Sequence, residues 1–167
     1  MNKILVFFTV FFTVVFVNAQ QYNFINYSIE DGLVQSQVRS ICQDDKGYIW
    51  VGTLGGVSQF NSTTFKNYEV NDGLLNSQIN TVFKDKKGRV WLGTIGGVSI
   101  RYHKKFTNPV FKDELSKNAV LSITEDKDGK IWIATDGGGL VVYDGVELDY
   151  ISLPNGDNQN YIRSVFL

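Results

Sequence analysis

The sequence predicts an all-β fold made of repeated four-stranded antiparallel sheets, and three observations carry that prediction. The stretch Gly47-Tyr48-Ile49-Trp50-Val51-Gly52-Thr53-Leu54-Gly55-Gly56-Val57-Ser58 returns as residues 88–99 and, loosened, as residues 129–140. Its tryptophans, Trp50, Trp91 and Trp132, are the chain's three, spaced 41 residues apart. A fixed period of roughly 20 to 50 residues is the signature of a repeat architecture. After the first nineteen residues no stretch keeps a helical period with capping residues. Each period instead divides into four short pieces rich in Val, Ile, Phe and Tyr, bounded by Gly, Asp or Asn.

In chain order, Lys3 is a short positive start, and Ile4 to Val17 is apolar apart from Thr9 and Thr13. Val17-Asn18-Ala19 then offers a cleavage site, so residues 1–19 read as a secretory signal peptide. Fourteen apolar residues fall short of the roughly 20 that a spanning helix needs, which disfavours the alternative of a membrane anchor. The mature chain, residues 20–167, carries 15 basic against 17 acidic residues. That balance argues against a dedicated nucleic-acid surface, which needs a basic stripe. Cys42 has no second cysteine to pair with, and its place in an apolar strand reads as a small buried hydrophobe.

Residues 22–28 read as a strand that closes a ring by pairing with a later sheet. The first repeat follows at about 37–70, with pieces at 37–43, 48–53, 57–61 and 64–70. The second spans about 78–112, the third about 119–152, and a fourth begins at 160–167. Asp44-Asp45-Lys46-Gly47, Asp85-Lys86-Lys87-Gly88 and Asp126-Lys127-Asp128-Gly129 join the first two pieces of each repeat. Asp at the first turn position and Gly at the fourth is hairpin chemistry. Gly55-Gly56 and Gly96-Gly97 serve the next bend, where a backbone without Cβ tolerates positive φ. The fourth copy arrives one residue late, which places an extra residue near Gly137-Gly138-Gly139 or after Leu153.

Four antiparallel strands per period of about 40 residues match a β-propeller blade. Tyr48-Ile49-Trp50-Val51 is continuously apolar, as a blade covered on both faces requires. The recurrent tryptophan then reads as a wedge between blades. About three and a half repeats do not close a ring, so the ring is expected to be incomplete in this chain, a piece of a longer protein. An open solenoid and closure by oligomerisation are the alternatives.

At these residues a resemblance becomes specific. Asp-Gly-Leu, Ser-Gln-Val/Ile, Asp-x-x-Gly and Trp-Val/Leu-Gly-Thr-x-Gly-Gly-Val-Ser, from Phe24 to about Tyr150, resemble the two-component regulator propeller repeat. The third copy departs at Glu114, at Ala134 and by its extra glycine. The resemblance implies a periplasmic, non-catalytic sensor that binds a small molecule or oligosaccharide. It also implies downstream sensor and kinase domains as partners, dimeric in the whole protein.

In a four-strand meander alternate connections share a rim. Residues 31–37 and 53–56 fall on one rim, and the Asp-x-x-Gly hairpins fall on the other. On the first rim Gln37 and Gln78 are ligand candidates. So are Arg39, Asn80 and Arg163, which occupy one repeat position where the third copy has Leu121. A polar position that varies inside a fixed apolar frame suits ligand discrimination. Asp136, in place of Leu54 and Ile95, is the acid newly introduced on that rim. Turn chemistry alone also explains most of these residues.

No cofactor or metal site is expected. The Asp-x-x-Gly loops end in glycine and carry lysines, unlike calcium loops with five or more converging oxygens. The chain's single histidine, His103, cannot make a zinc site or a catalytic triad. A propeller lyase or hydrolase would need several carboxylates or histidines at the channel mouth, and Asp136 is one acid. A protein-binding scaffold is the further alternative.

Overall fold

The computed structural model describes residues 23–109, 118–151 and 161–166. Among the described residues, twelve strands form three four-stranded antiparallel sheets. The first holds β1 (Val38–Gln43), β2 (Ile49–Thr53), β3 (Val57–Phe60) and β4 (Phe65–Tyr68). The second holds β5 (Ile79–Lys84), β6 (Val90–Thr94), β7 (Gly97–Tyr102) and β8 (Lys105–Thr107). The third holds β9 (Val120–Glu125), β10 (Ile131–Thr135), β11 (Leu140–Tyr143) and β12 (Leu148–Ile151). Each sheet keeps its strands in sequence order, and β1, β5 and β9 contact one another in turn. The sheets are therefore β-propeller blades stacked through their first two strands.

The blades interlock through small residues. A Cβ on Gly93 would lie 2.5 Å from Thr81 Cγ2 and 2.6 Å from Val120 Cγ1 of the next blade. One on Gly52 would lie 2.7 Å from Val82 Cγ2. Both strand glycines are needed because the neighbouring blade occupies the space of a side chain. Trp50 packs with Tyr68, Ile79 and Val82 in one cluster, and Trp91 with Val120, Ile123 and Ile131 in another. The indoles thus sit where neighbouring blades meet, as a wedge should.

Each indole is also anchored. Asp44 Oδ2 accepts the Trp50 Nε1–H at 2.8 Å, while its Oδ1 accepts the N–H groups of Lys46 and Tyr48. Asp85 holds Trp91 at 2.8 Å and Asp126 holds Trp132 at 2.9 Å in the same way. Asp85 accepts the Arg89 guanidinium as well, and is fully buried. The indole N–H, and then the backbone N–H groups of Lys130 and Asp128, hold the Asp126 carboxyl below its ordinary 3.8, against a smaller opposing effect of burial. One carboxylate therefore closes the hairpin and aims the wedge.

The Asp-Gly-Leu loops are turns. Asp31 and Asp72 accept the N–H of Ser28 and Glu69, three residues back, at 2.7 and 2.8 Å. Leu33 and Leu74 then enter the core. Val34 and Leu75 donate to Ser58 and Ser99, which tie each loop to its blade. In the third blade Val141 takes that serine position.

Several expectations need correction. Residues 23–28 join none of the three described sheets. The fourth piece ends at Tyr68, and Val70–Asp72 is a 3-10 turn closed by Asp72. Only the second glycine of each bend, Gly56 and Gly97, has positive φ, while Gly55 and Gly96 do not. Residues 161–166 form no strand beyond a bridge of Tyr161 to Asp136. They still follow the third blade: Ile162 donates to Thr135 O and Val165 to Ser122 Oγ. The extra residue lies in the β10–β11 bend, where Thr135 N–H reaches Gly139 O instead of the carbonyl three residues on. The signal peptide, Glu114, Leu153 and the span 152–160 lie outside the described residues.

Cys42 is half-buried against the Trp50 cluster. Burial, reinforced by Asp44 and opposed by Lys84, pushes its thiol up to about 12.

Candidate functional site

The meander sets out two rims. On the rim of the long loops, Arg39, Asn80 and Leu121 each fall where the register slips against the second strand. A bulge leaves one residue out of the ladder and re-aims its side chain. Arg39 and Arg163 are exposed, while Asn80 Nδ2 donates to Val120 O at 3.2 Å across the blade boundary. Asn80 is thereby a link between blades. Gln37 and Gln78 are exposed beside the loop turns, their N–H groups capped by Gln35 and Asn76. Asp136 is exposed, and its N–H donates to Ala119 O at 2.8 Å. These residues are spread over four successive repeat positions, and no described cleft gathers them.

A concave site among the described residues lies on the opposite rim. A cleft of about 800 Å³ opens between the first and second blades. Its first-blade wall carries Tyr48, Gln59, Asn61 and Lys66, and its second-blade wall carries Lys87, Arg101, His103 and Lys104. Trp50 and Tyr68 form the floor, stacked with ring centroids 5.8 Å apart. Arg101 is held between two rings, 4.7 Å from Tyr68 and 4.5 Å from Phe106. Its Nη2 also donates to Tyr68 Oη at 3.3 Å, and Tyr68 Oη donates to Gln59 Oε1 at 3.2 Å.

Two aspartates also line the cleft, and both are engaged. Asp44 is bound to Trp50, and Asp45 accepts Lys84 Nζ at 2.6 Å. Among the described residues no three His, Cys, Asp or Glu side chains converge as a metal site would require. The cleft presents cations, amides and aromatic rings.

The ligand candidates read from the sequence, Gln37, Arg39, Gln78, Asn80, Asp136 and Arg163, do not line this cleft. The signal that finds the cleft is disagreement between repeats at hairpin tips. In register, Gln59, Arg101 and His103 correspond to Ile100, Tyr143 and Gly145 one blade later. The Asp-to-Trp anchor was equally visible as a constant six-residue spacing, 44 to 50, 85 to 91 and 126 to 132.

Blades of this construction, joined by glycine contacts and anchored indoles, define the protein as a β-propeller repeat protein. The family model described as two component regulator propeller matches residues 32–55, 73–96 and 114–137. The chain thus carries three repeats of that family. Histidine kinase P4 of Formosa agariphila is 42% identical over 57 residues, which are 33% of this chain and 4% of that protein. The extracellular domain of the hybrid two component system BT3049 from B. thetaiotaomicron superposes with a TM-score of 0.65 at 27% identity, over 75% of this chain and 18% of that one. PorZ, a surface component of the type-IX secretion system of Porphyromonas gingivalis, gives a TM-score of 0.65 at 20% identity, covering 84% of this chain and 25% of PorZ. Virginiamycin B lyase of Staphylococcus aureus gives 0.56 at 19% identity, over 74% of this chain and 44% of the lyase. The last two share the fold. The chain spans less than half the length of each of these proteins.

Proposed function

We propose that this chain is the N-terminal part of an exported sensor propeller, a non-catalytic module that binds a small molecule or oligosaccharide and reports it to a two-component kinase. The observation that carries the reading is the run of three family repeats in a chain 27% identical to an extracellular two-component domain. A propeller suits this role because its blades are rigid and meet at seams. A ligand that bridges two blades favours one packing of the seam over another, and that difference in affinity shifts the population of states passed downstream. The reading places the domain outside the cytoplasmic membrane, with its kinase in a region beyond this chain.

The test is the coding region that follows Leu167. The reading expects further propeller repeats, then a membrane-spanning segment and a histidine kinase. A stop soon after ring closure would turn the assignment toward a free-standing secreted scaffold.

A further inference from the structure

Resting on that sensor reading, we infer that the cleft between the first two blades is an oxyanion site, and that the ligand sensed there is an acidic saccharide bearing carboxylate or sulfate groups.

The first ground is charge in a chain that has almost none to spare. The whole sequence is close to neutral, with 16 basic and 17 acidic residues. Yet the cleft is lined by Lys46, Lys66, Lys87, Arg101 and Lys104, with His103 beside them. Against these stand Asp44 and Asp45 alone. Asp44 spends its oxygens on two backbone N–H groups and the Trp50 indole, and Asp45 is paired with Lys84 outside the cleft lining. The cations consequently face the opening without matching acids of their own. A concave wall of one sign focuses its field on the space it encloses.

The second ground is comparison with the next seam, which has the same backbone. There Tyr143, Asp144, Gly145 and Val146 stand where Arg101, Tyr102, His103 and Lys104 stand in the second blade, and Asp128 stands for Lys87. Ile100 replaces Gln59 and Thr107 replaces Lys66. Trp91 meets Tyr143 at 5.9 Å, and Ile100 is buried in the apolar cluster. Lys46 keeps a lysine, Lys87, at its place, but the propeller frame has no need of Lys66, Lys87, Arg101 and Lys104 as cations of the first seam.

The third ground is the β7–β8 hairpin. His103 and Lys104 have φ of 45° and 65°. A two-residue turn with both φ positive favours Asn-Gly, because side chains strain that backbone. The third blade has Gly145 at the matching place. The second blade instead keeps an imidazole and an ammonium at the mouth of the cleft. Strained backbone held in place by its surroundings clusters at ligand-binding sites.

The saccharide part of the inference rests on what accompanies the cations. Tyr48, Gln59 and Asn61 supply ring and amide groups suited to hydroxyl-rich ligands, and the size falls in the range of small-ligand sites, roughly 300 to 1,000 Å³. Arg101 is fixed by two rings and by hydrogen bonds from Nη1 to Lys104 O and from Nη2 to Tyr68 Oη, so its remaining N–H groups are held in place for an oxyanion.

The test is isothermal titration of the full chain with trigalacturonate, a sulfated galactose trisaccharide, cellotriose and sodium sulfate. The variant is Lys66→Gln/Lys87→Gln/Lys104→Gln, whose three side chains are exposed and leave the core intact. The expected result is binding of an acidic trisaccharide that weakens as salt is raised and falls about tenfold or more in the variant. Sulfate alone should compete for the same site, weakly. Binding of cellotriose with equal strength in both proteins would overturn the oxyanion inference and leave the sensor reading standing. Binding of sulfate with no acidic saccharide would overturn the saccharide assignment. No binding of any acidic probe to a folded wild-type chain would overturn the inference outright, while the downstream coding region still decides the sensor reading.

Discussion

The two seams of this protein share a backbone and differ in what fills them. At both, a glycine on the second strand lets the next blade approach, and an aspartate holds a tryptophan between the sheets. The second seam is then completed with Ile100 and Tyr143, whereas the first is left concave and lined with cations. The difference teaches that the repeated motif is a construction rule, and that specialised chemistry sits where one blade departs from it. The same contrast appears at the ends of the array. Ile41 is 65% exposed, while its counterparts Val82 and Ile123 are each 5% exposed because a preceding blade covers them.

The largest expected effect is on the shared frame. Asp85→Ala leaves the Trp91 indole, two backbone N–H groups and the Arg89 guanidinium without their acceptor in a fully buried place. A loss of about 3–5 kcal/mol is expected in denaturant melts. Asp44→Ala, where the carboxylate is only half-buried, should cost about 1–3 kcal/mol. Equal losses at the two sites would break the claim that burial sets the value of the anchor.

Next comes blade spacing. Gly93→Ala places a methyl group within 2.6 Å of Val120 and should cost about 1–3 kcal/mol through overpacking. The third blade already carries Ala134 at this position. A neutral Gly93→Ala would show that the blades can part without penalty.

Much of this was legible beforehand, and the reasons are physical. The 41-residue period, the four strands per blade and the tryptophan wedge follow from patterns that every copy must obey. What was missed depends on how loops meet in space. The cleft joins residues up to 60 positions apart, from Asp44 to Lys104, on hairpins whose sequences look like ordinary polar turns. Arg39 and Asn80 share one place in the register of successive blades, but a position shared by successive blades is not thereby a shared pocket. Asn80 in particular is committed to Val120 O.

A further contrast separates covered from uncovered faces. Ile123→Ala should cost about 2–5 kcal/mol, and Ile41→Ala should stay within about 0.5 kcal/mol. Comparable costs would mean that Ile41 is covered in solution. The smallest effect concerns Cys42. With its thiol pushed up to about 12 from an ordinary 9.0, the native state keeps a proton that the unfolded chain releases. Its contribution to stability is full below pH 9 and falls as pH rises from there toward 12. Alkylation of the folded chain at pH 8 should accordingly be far slower than alkylation of the unfolded chain, as mass spectrometry over time would record.

The most direct measurement exchanges one seam for the other. The variant Gln59→Ile/Lys66→Thr/Arg101→Tyr/Lys104→Val gives the first seam side chains of the second, and it is titrated with trigalacturonate beside a thermal melt. The account predicts that the melt is kept or raised while binding is lost. Undiminished binding by this variant would contradict the assignment of recognition to the cleft between the first two blades.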